Sequence, residues 1–503
     1  MGETTRQVGH AVFWSVLSKT SRFVLGIASS VIVVRSLGEY DYGILSLVRA
    51  VLAFVLVIAG FGLGQSLLKF IPVFKVARDR RGARGLVRRV AFIQGGVWAV
   101  LLAICYFGAD KFESLFGYDG VGLFLWIAVA LAFFEMAFLL VTHVLQAYYD
   151  TKLLTAANVA SHLVFIAFLL VLLPRDWGVI GVFSAAAAGN MVATLIVLRR
   201  MMSHFAETEE VAEASGVDRR RILRFALPFA AIGVLNIIVW RQSEVLFLAH
   251  FRGAEETGFF DLAYRLPQTL LEFVPGTVWP IVMAGISEVY TRNASDLNKA
   301  IDKYYRMLFL LSAPICMTGI VLGGRLITVL YTEAMAPSAI PAQFFFAIFS
   351  VSFFGTPLSM ALYVIEKSHA NLIIYSVLAM INVGLDLLLI PRFGIVGAII
   401  PVGIVILISP FAYKRVLARY VSGTRVPLGF IARCFLASSP VLLLFPFTGY
   451  IDGVFELVAA ILLAAVMIVF GFKALKVIGR EELAMIGAVP IPALGRFLRF
   501  LAS

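Results

Sequence analysis

Two long apolar runs are joined by residues 37–47, whose sequence is LGEYDYGILSL. A related sequence, RGAEETGFFDL, occurs at residues 252–262 and also follows an apolar run. The two glycines of this second copy stand 215 positions after Gly38 and Gly43 of the first. Because glycine marks turns between periodic segments, both copies indicate a short connection between apolar segments.

A second pair of segments recurs at almost the same offset. The sequence PRDWGVIG at residues 174–181 corresponds to PRFGIVG at residues 391–397, and the matching glycines are 216 positions apart. Glycine-rich turns also recur by chance in membrane proteins, but two matches at one offset favour an internal repeat. Such repeats are typical of secondary transporters, whose substrate site lies between the two halves.

The apolar runs are long enough to cross a bilayer, which takes about 20 residues. Hydrophobic residues make up 61% of the 503 positions and charged residues 14%, whereas a soluble chain is about half apolar and a quarter charged. The mean hydropathy is +0.95. The runs predict fourteen spans, at residues 11–34, 43–70, 89–108, 121–147, 153–173, 178–198, 225–250, 258–288, 306–331, 341–365, 370–390, 394–413, 429–449 and 454–472.

We therefore predict an all-α polytopic membrane protein with about 14 transmembrane helices. Its first repeated segment follows spans 1 and 7 and its second follows spans 5 and 11, so the core is two pseudo-symmetric six-helix lobes in parallel orientation. The predicted domains are an N-terminal lobe, a polar cytoplasmic linker, a C-terminal lobe, and two C-terminal helices with a cytoplasmic tail. They occupy residues 1–200, 201–220, 221–425 and 426–503.

The net charge of +12 is distributed unevenly between the loops. Loops after even-numbered spans, together with both tails, hold thirty Lys and Arg residues, and the opposite loops hold five. Since Lys and Arg are enriched in cytoplasmic loops, we predict that both termini face the cytoplasm. The basic runs lack the interleaved aromatic residues of nucleic-acid binders, so we predict no nucleic-acid partner.

The first span contains two cations, Lys19 and Arg22. If this span began after Arg22, only residues 23–34 would remain, about 18 Å of helix against a hydrocarbon core of about 30 Å. Both cations therefore lie inside the membrane, on one helical face with several serines. This charged run is also too long for a cleavable signal peptide. The two interpretations are a polar cavity or side chains that snorkel to the cytoplasmic surface.

The eighth span carries Asp261, Arg265, Gln268 and Glu272, whose spacing of 4, 3 and 4 puts them on one helical face. In one interpretation they are functional groups within the membrane, on a helix that its prolines make a plausible bending element, and in the other they form two intrahelical ion pairs of little consequence. Arg265 and Arg49 occupy nearly equivalent positions of the repeat, each about two turns inside a repeated glycine.

Embedded cations and carboxylates are divided unequally between the predicted lobes. Lys19, Arg22 and Arg49 in the first lobe oppose the single carboxylate Glu135, whereas carboxylates predominate in the second lobe. Arginine suits phosphate through bidentate hydrogen bonds, so we predict an anionic ligand. Intramembrane carboxylates carry protons or Na⁺ in transporters, and our ion-coupling candidates are Asp261, Glu272 and Glu244.

Motifs of enzymes and metal sites do not occur in the sequence. There is no GxxxxGK[ST] stretch for ATP hydrolysis, and neither HExxH nor CxxC spacing for a metal. No loop is long enough to carry a large catalytic domain, which argues against a membrane enzyme such as a glycan polymerase. We therefore predict no catalytic residues, no cofactor and no metal.

Residues 34–43 (VRSLGEYDYG) resemble the R-x-L-G-x-x-x-Y-G signature after the first helix of polysaccharide repeat-unit flippases. Residues 381–398 (INVGLDLLLIPRFGIVGA) are similar to the junction of their helices 11 and 12. With fourteen predicted helices and a twofold repeat, the resemblance covers nearly the whole chain. It indicates the O-antigen and capsule flippase (Wzx-type) branch of the multidrug/oligosaccharidyl-lipid/polysaccharide (MOP) exporter superfamily, close to lipid II flippases.

This resemblance implies a V-shaped pair of six-helix bundles around a cationic cavity. It implies that a polyprenyl-diphosphate-linked oligosaccharide crosses a bacterial inner membrane by alternating access, with the diphosphate bound by Lys19 or Arg22, Arg49 and Arg265. The expected partners are the lipid-linked oligosaccharide, membrane lipids and the polysaccharide polymerase machinery, with the protein itself a monomer. The alternative is an ion-coupled multidrug or cation antiporter of the same superfamily.

Overall fold

The computed structural model describes residues 3–77, 79–205 and 219–479. The chain is 89% helical, and the described residues contain no β-strand. The predicted all-α membrane fold is therefore confirmed. The chain divides into two compact units, Met1–Gly258 and Phe259–Ser503.

The first unit is built from nine helices and the start of a tenth. They are α1 (Glu3–Gly60), α2 (Leu63–Val76), α3 (Arg80–Phe107), α4 (Ala109–Phe116), α5 (Val121–Ala147), α6 (Thr151–Leu172), α7 (Gly178–Ser203), α8 (Arg219–Ile237), α9 (Ser243–Phe251) and α10 (Ala254–Arg292). A π-helical turn, Ile238–Gln242, joins α8 to α9, and the two helices meet at an angle of 52°.

Most of α10 belongs to the second unit, together with seven further helices. They are α11 (Leu297–Leu330), α12 (Ala339–Ser352), α13 (Thr356–Val364), α14 (Ser368–Phe393), α15 (Ile395–Leu417), α16 (Leu428–Ser438) and α17 (Val454–Ala474). A 3₁₀ segment, Ser439–Tyr450, extends α16, and the two together form one span.

The number of membrane crossings is supported only in part. The described residues contain eleven helical segments that are long and apolar enough to span a membrane, or twelve when the bent pair α8–α9 is counted as one. One of the eleven, Leu17–Val76, has 60 residues and would measure about 90 Å, three times the hydrocarbon core of about 30 Å. It is therefore too long for a single crossing, and the predicted spans 11–34 and 43–70 both fall largely within it. The charged helix α10 is outside the eleven, and the predicted fourteen remains a prediction.

The repeated glycines adopt matching backbone conformations. Gly38 has φ 75° and Gly253 has φ 110°, a region that L-residues rarely occupy. The second pair, Gly178 and Gly394, has φ 46° and 55°. Both copies of each segment therefore place a glycine with positive φ at the repeated position.

Segments 37–47 and 252–262 also contact each other inside the first unit. A Cβ built on Gly43 would stand 1.8 Å from the carbonyl oxygen of Ala254. A Cβ on Gly258 would stand 3.0 Å from the carbonyl oxygen of Glu39. The signature glycine of the first copy is therefore a site of close backbone packing.

The predicted domain boundaries remain predictions. Helix α7 extends into the predicted linker 201–220 as far as Ser203, and most of this linker, residues 206–218, lies outside the described residues. Residues 480–503, which form the predicted cytoplasmic tail, also lie outside them.

Candidate functional site

Helix α1 carries the polar face that the sequence predicted. Ser18 is buried and Lys19 is half-buried, whereas Arg22, one turn further along, is exposed. Further along the same face, Ser29 donates a hydrogen bond to the carbonyl oxygen of Gly26 at 3.0 Å. Arg22 and Lys19 thus project from one side of an apolar helix, toward α5, α6 and α7.

These side chains open into a cavity of about 370 Å³ inside the first unit, here called the α6 cavity. Its charged lining groups are Lys19, Arg22 and Glu135. The remaining lining residues are mostly polar: Ser18, Thr142, Gln146, Thr151, Thr155, Asn158, Ser161, His162 and Asn190, with the apolar Phe138, Leu139 and Leu154. Such a polar volume between apolar helices is suited to a hydrophilic ligand.

Helix α6 supplies one wall of the cavity and satisfies much of its own polarity. Thr155 Oγ1 donates to the carbonyl oxygen of Thr151 at 2.9 Å, and Asn158 Nδ2 donates to that of Leu154 at 3.0 Å. His162 Nδ1 is 3.0 Å from the carbonyl oxygen of Asn158. Because these hydrogen bonds follow the helix, the wall remains helical while its polar faces turn toward the cavity.

The position of this wall is fixed by close packing between α6 and α7. A Cβ built on Gly189 would stand 2.5 Å from the carbonyl oxygen of Ser161, so only glycine permits this approach. Asn190, the next residue of α7, lines the α6 cavity. The glycine therefore brings the amide of its neighbour to the site.

Glu135 supplies a carboxylate to the α6 cavity. It is half-buried on α5, and the positive charges of both Arg49 and Arg22 act on its carboxylate. Lys19 in turn lies within electrostatic range of Arg22. Lys19 and Arg22 thus share the α6 cavity with Glu135, whereas Arg49 acts on this carboxylate without lining the cavity.

The fourth predicted cation, Arg265, belongs to the second unit and forms an ion pair on its own helix. Its Nε and Nη2 donate to the two carboxylate oxygens of Asp261 at 3.1 and 3.2 Å. One turn further along α10, Gln268 Nε2 donates to Glu272 at 3.0 Å. The polar face of α10 therefore includes an ion pair and an amide–carboxylate hydrogen bond between residues four positions apart.

The remaining predicted carboxylate, Glu244, is fully buried at the start of α9. Ser243 Oγ donates to it at 3.4 Å, directly after the π-helical turn. Among the described residues, no group of three or more His, Cys, Asp and Glu side chains is arranged to hold a metal ion.

Sequence reasoning missed the polar wall of α6. Thr151, Thr155, Asn158 and His162 follow one another at intervals of 4, 3 and 4, the same spacing that singled out α10. Spacing applied to uncharged polar side chains would have revealed the wall.

The family comparison identifies a large part of the chain. The family model of polysaccharide biosynthesis proteins matches residues 8–286, which is more than half of the 503 residues. All residues that line the α6 cavity fall within this range. No curated protein sequence matches the chain.

Solved structures of transporters share the fold. The lipid II flippase MurJ in an inward closed conformation has a TM-score of 0.73 at 14% identity, over 92% of this chain and 98% of its own. An inward-facing multidrug resistance MATE family transporter of the MOP superfamily has a TM-score of 0.67 at 16% identity, over 80% of this chain and 96% of its own. A MOP superfamily transporter from Pyrococcus furiosus, described as having a binding pocket of reverse polarity, has a TM-score of 0.62 at 16% identity, over 84% and 98%.

Proposed function

This chain belongs to the polysaccharide biosynthesis protein family, and on that basis we propose that it is a flippase for a polyprenyl-diphosphate-linked oligosaccharide. The oligosaccharide is an O-antigen, capsule or exopolysaccharide repeat unit, moved across the cytoplasmic membrane by alternating access. The family description and a fold shared with a lipid II flippase support this proposal. Both the family and the fold are those of transporters, so we propose no catalytic activity.

The main support for this proposal is the charge of the α6 cavity. Lys19 and Arg22 line the cavity together with Glu135, and the positive charge of Arg49 also acts on this carboxylate, so cations exceed carboxylates at the site. An anionic diphosphate balances this excess, and arginine binds phosphate oxygens through bidentate hydrogen bonds. The uncharged polar wall of α6 is suited to the hydroxyl groups of a sugar.

Arg265 is the second unit's contribution to the proposal. Its ion pair with Asp261 engages two of the five N–H donors of a guanidinium group. We assign Asp261 the role of orienting Arg265 toward the diphosphate. As candidates for ion coupling we retain Glu244, Glu272 and Asp261 itself, because intramembrane carboxylates carry protons or Na⁺.

A second candidate function is that of an ion-coupled multidrug or cation antiporter. Glu135 favours it, because a carboxylate inside the α6 cavity is the group that a cationic drug would bind. The similarity in fold to a multidrug resistance MATE family transporter is consistent with it. The excess of cations around Glu135 argues against it, since these repel a cationic substrate.

The proposed setting follows from the same argument. We place the protein in a bacterial inner membrane as a monomer, with both termini in the cytoplasm. Its proposed partners are the lipid-linked oligosaccharide, the surrounding lipids and the polysaccharide polymerase machinery that uses the exported repeat unit.

The decisive experiment compares transport by Arg22→Gln/Arg49→Gln with transport by Arg199→Gln, an exposed position at the end of α7. Proteoliposomes would carry a fluorescent polyprenyl-diphosphate glycan, and a membrane-impermeant quencher would report its movement. Each arginine–phosphate contact is worth about 1.5–3 kcal/mol, so we expect at least a tenfold loss in the double variant and wild-type transport in the control.

Two results would overturn the proposal. Transport at the wild-type rate by a well-folded Arg22→Gln/Arg49→Gln variant would exclude the α6 cavity as the diphosphate site. Absence of glycan transport by the wild type, together with efflux of cationic drugs, would establish the antiporter instead.

A further inference from the structure

A second cavity, of about 450 Å³, lies on the first unit between α2, α3 and α8 and is here called the α3 groove. Its apolar lining consists of Leu63, Leu86, Val90, Phe92, Ile93 and Ile222. The floor is rigid, because the first three of these side chains are at most 2% exposed and belong to one packed cluster. None of its lining residues belongs to the α6 cavity.

The groove opens outward, toward the membrane. The ring of Phe92 at its edge is 83% exposed, and Ile93 beside it is half-buried. An apolar recess with an exposed aromatic rim is unusual on a soluble surface, but it is compatible with hydrocarbon chains. The volume of the groove is within the range of small-ligand pockets, about 300–1,000 Å³.

Two arginines, Arg88 and Arg89, complete the lining. Both are exposed, and within the described ranges neither side chain makes a hydrogen bond or an ion pair. The part of α3 from Arg89 to its end at Phe107 has nineteen residues and is about 27 Å long. A hydrocarbon core of about 30 Å therefore begins close to these arginines.

The basic end of α3 faces the cytoplasm in the orientation predicted from loop charges. Arg80, Arg81 and Arg84 precede the pair on the same helix, and such clusters are enriched on the cytoplasmic side. Arg88 and Arg89 thus stand at the depth of the inner-leaflet head groups, directly above an apolar groove. A ligand that fits both parts has a negative head and a hydrocarbon tail.

We propose that the α3 groove binds one anionic glycerophospholipid of the cytoplasmic leaflet. Its acyl chain lies against Phe92 and Ile93, over the packed floor of the groove, and its phosphate accepts hydrogen bonds from Arg88 and Arg89. Basic pockets between transmembrane helices on the cytoplasmic side bind such head groups. A zwitterionic lipid has the same tail, but its own cation opposes the two arginines, so the site discriminates by charge.

Native mass spectrometry of the purified full-length protein, supplied with phosphatidylglycerol or phosphatidylcholine, tests the proposal. The variant is Arg88→Gln/Arg89→Gln, and the matched control is Arg81→Gln/Arg84→Gln, which removes equal charge from exposed positions of α3 outside the groove. A basic residue near an anionic surface contributes about 1 kcal/mol, so we expect at least about a fivefold loss of bound phosphatidylglycerol in the variant. The control should stay within twofold of the wild type.

A third variant, Ile93→Trp, keeps both arginines and fills the groove, so it should also lose the retained lipid. Equal retention by all variants would overturn the proposal, as would an equal loss in the two arginine pairs. Equal binding of phosphatidylcholine by the wild type would exclude recognition of charge. Selective binding of a polyprenyl diphosphate at Arg88 and Arg89 would identify a different occupant and likewise overturn it.

Discussion

At Gly43, the two copies of the repeated segment contact each other. It follows the kink at Gly38 in the first copy and meets Ala254, which follows Gly253 in the second copy. Since a Cβ on Gly43 would stand 1.8 Å from a carbonyl oxygen, the backbone itself would have to move. The family signature at this position therefore reports packing inside the first unit, and the charged groups of the α6 cavity are separate from it.

We predict that Gly43→Ala destabilises the protein by about 3 kcal/mol, at the upper end of the usual cost of overpacking. Thermal unfolding of the detergent-solubilised protein, followed by loss of helical circular dichroism, measures the effect. The control is Gly96→Ala in the interior of α3, where a Cβ meets no atom within 4 Å. That change should raise stability by about 0.5–1 kcal/mol, because alanine is the better helix former. An unchanged unfolding midpoint for Gly43→Ala would contradict the close packing.

Glu135 distinguishes the two candidate functions at the level of one side chain. Glu135→Gln removes the carboxylate that the charges of Arg22 and Arg49 surround, while it preserves size and hydrogen-bonding capacity. For an anionic substrate we expect binding to stay equal or to become up to about tenfold tighter, because a repulsive charge is lost. For a cationic substrate we expect binding to be abolished.

Isothermal titration of the purified variant with a soluble diphosphate analogue and with a cationic drug measures both outcomes. Glu113→Gln, on α4 and outside the α6 cavity, is the control for removal of a carboxylate. Loss of diphosphate binding in Glu135→Gln alone would contradict the assignment of the cavity to an anion.

At the scale of elements, the connection between α5, α6 and α7 is fixed by a cluster at their ends. His204, which follows α7, stacks on Tyr148 with ring centroids 4.2 Å apart and an interplanar angle of 5°. Its Nε2 is 3.6 Å from a carboxylate oxygen of Asp150, which also accepts from Arg200. Lys75 of α2 lies 5.7 Å from the centre of the Tyr148 ring. Four helices are thus joined by side chains beyond the membrane-spanning segments.

Burial lowers the pKa of His204, and the nearby positive charge of Arg200 lowers it further, while Asp150 acts in the opposite direction. The folded state therefore favours the neutral imidazole. The stability that this contributes is fully present above the ordinary histidine pKa of about 6.5, and it is lost as the pH falls through the lowered value. We predict that the unfolding midpoint decreases between pH 7.5 and pH 5, and that His204→Gln reduces this decrease.

Thermal unfolding at a series of pH values measures this effect in both proteins. His369→Gln, at an exposed position near the start of α14, is the matched control and should retain the full pH dependence of the wild type. Identical pH profiles for His204→Gln and the wild type would show that the cluster does not sense protonation.

Helices α8 and α9 show where pattern reasoning at the element scale was too simple. The largely apolar run at residues 225–250 predicted one span, and the structure adds a π-helical turn at which the chain bends by 52°. Hydropathy is averaged over whole helical turns, so it does not detect one extra residue in the backbone hydrogen-bond pattern of a helix. Single π-turns are frequent at functional sites, and this one ends two residues before the buried Glu244.

At the scale of the whole molecule, loop charge predicts the orientation in the membrane. Thirty basic residues on one side and five on the other place the loop at Asn293 in the cytoplasm and the loop at Asp176 outside. We predict that Asp176→Cys reacts with a membrane-impermeant thiol reagent in intact cells and that Asn293→Cys reacts only after permeabilisation. Both positions are exposed, so access through the protein does not limit labelling.

The measurement needs a background in which Cys105, Cys316 and Cys434 are replaced by serine, since all three are free thiols. That background without a new cysteine is the control for non-specific labelling. The reverse labelling pattern would invert the topology and would place Arg88 and Arg89 on the outer side.

The sequence by itself determined the fold class, the repeat and the cations of the site. Long apolar runs have few alternatives to helices in a bilayer, because every backbone polar group must be satisfied within the segment. Repeated glycines at one offset predicted matching turns, and the positive φ angles of Gly38 and Gly253 bear this out. The cost of burying charge singled out Lys19, Arg22 and Arg49 without any knowledge of their neighbours.

Only the tertiary structure decided which of these residues meet. Glu135, the α6 wall and Asn190 come from helices far from α1 in sequence, yet they line one cavity with Lys19 and Arg22. The close approach at Gly189 places Asn190 beside the α6 wall. The α3 groove likewise combines Leu63 with Ile222, from α2 and α8. Periodicity describes one face of one helix, whereas a cavity depends on the spacing between several helices, which is set by side-chain volumes at their contacts.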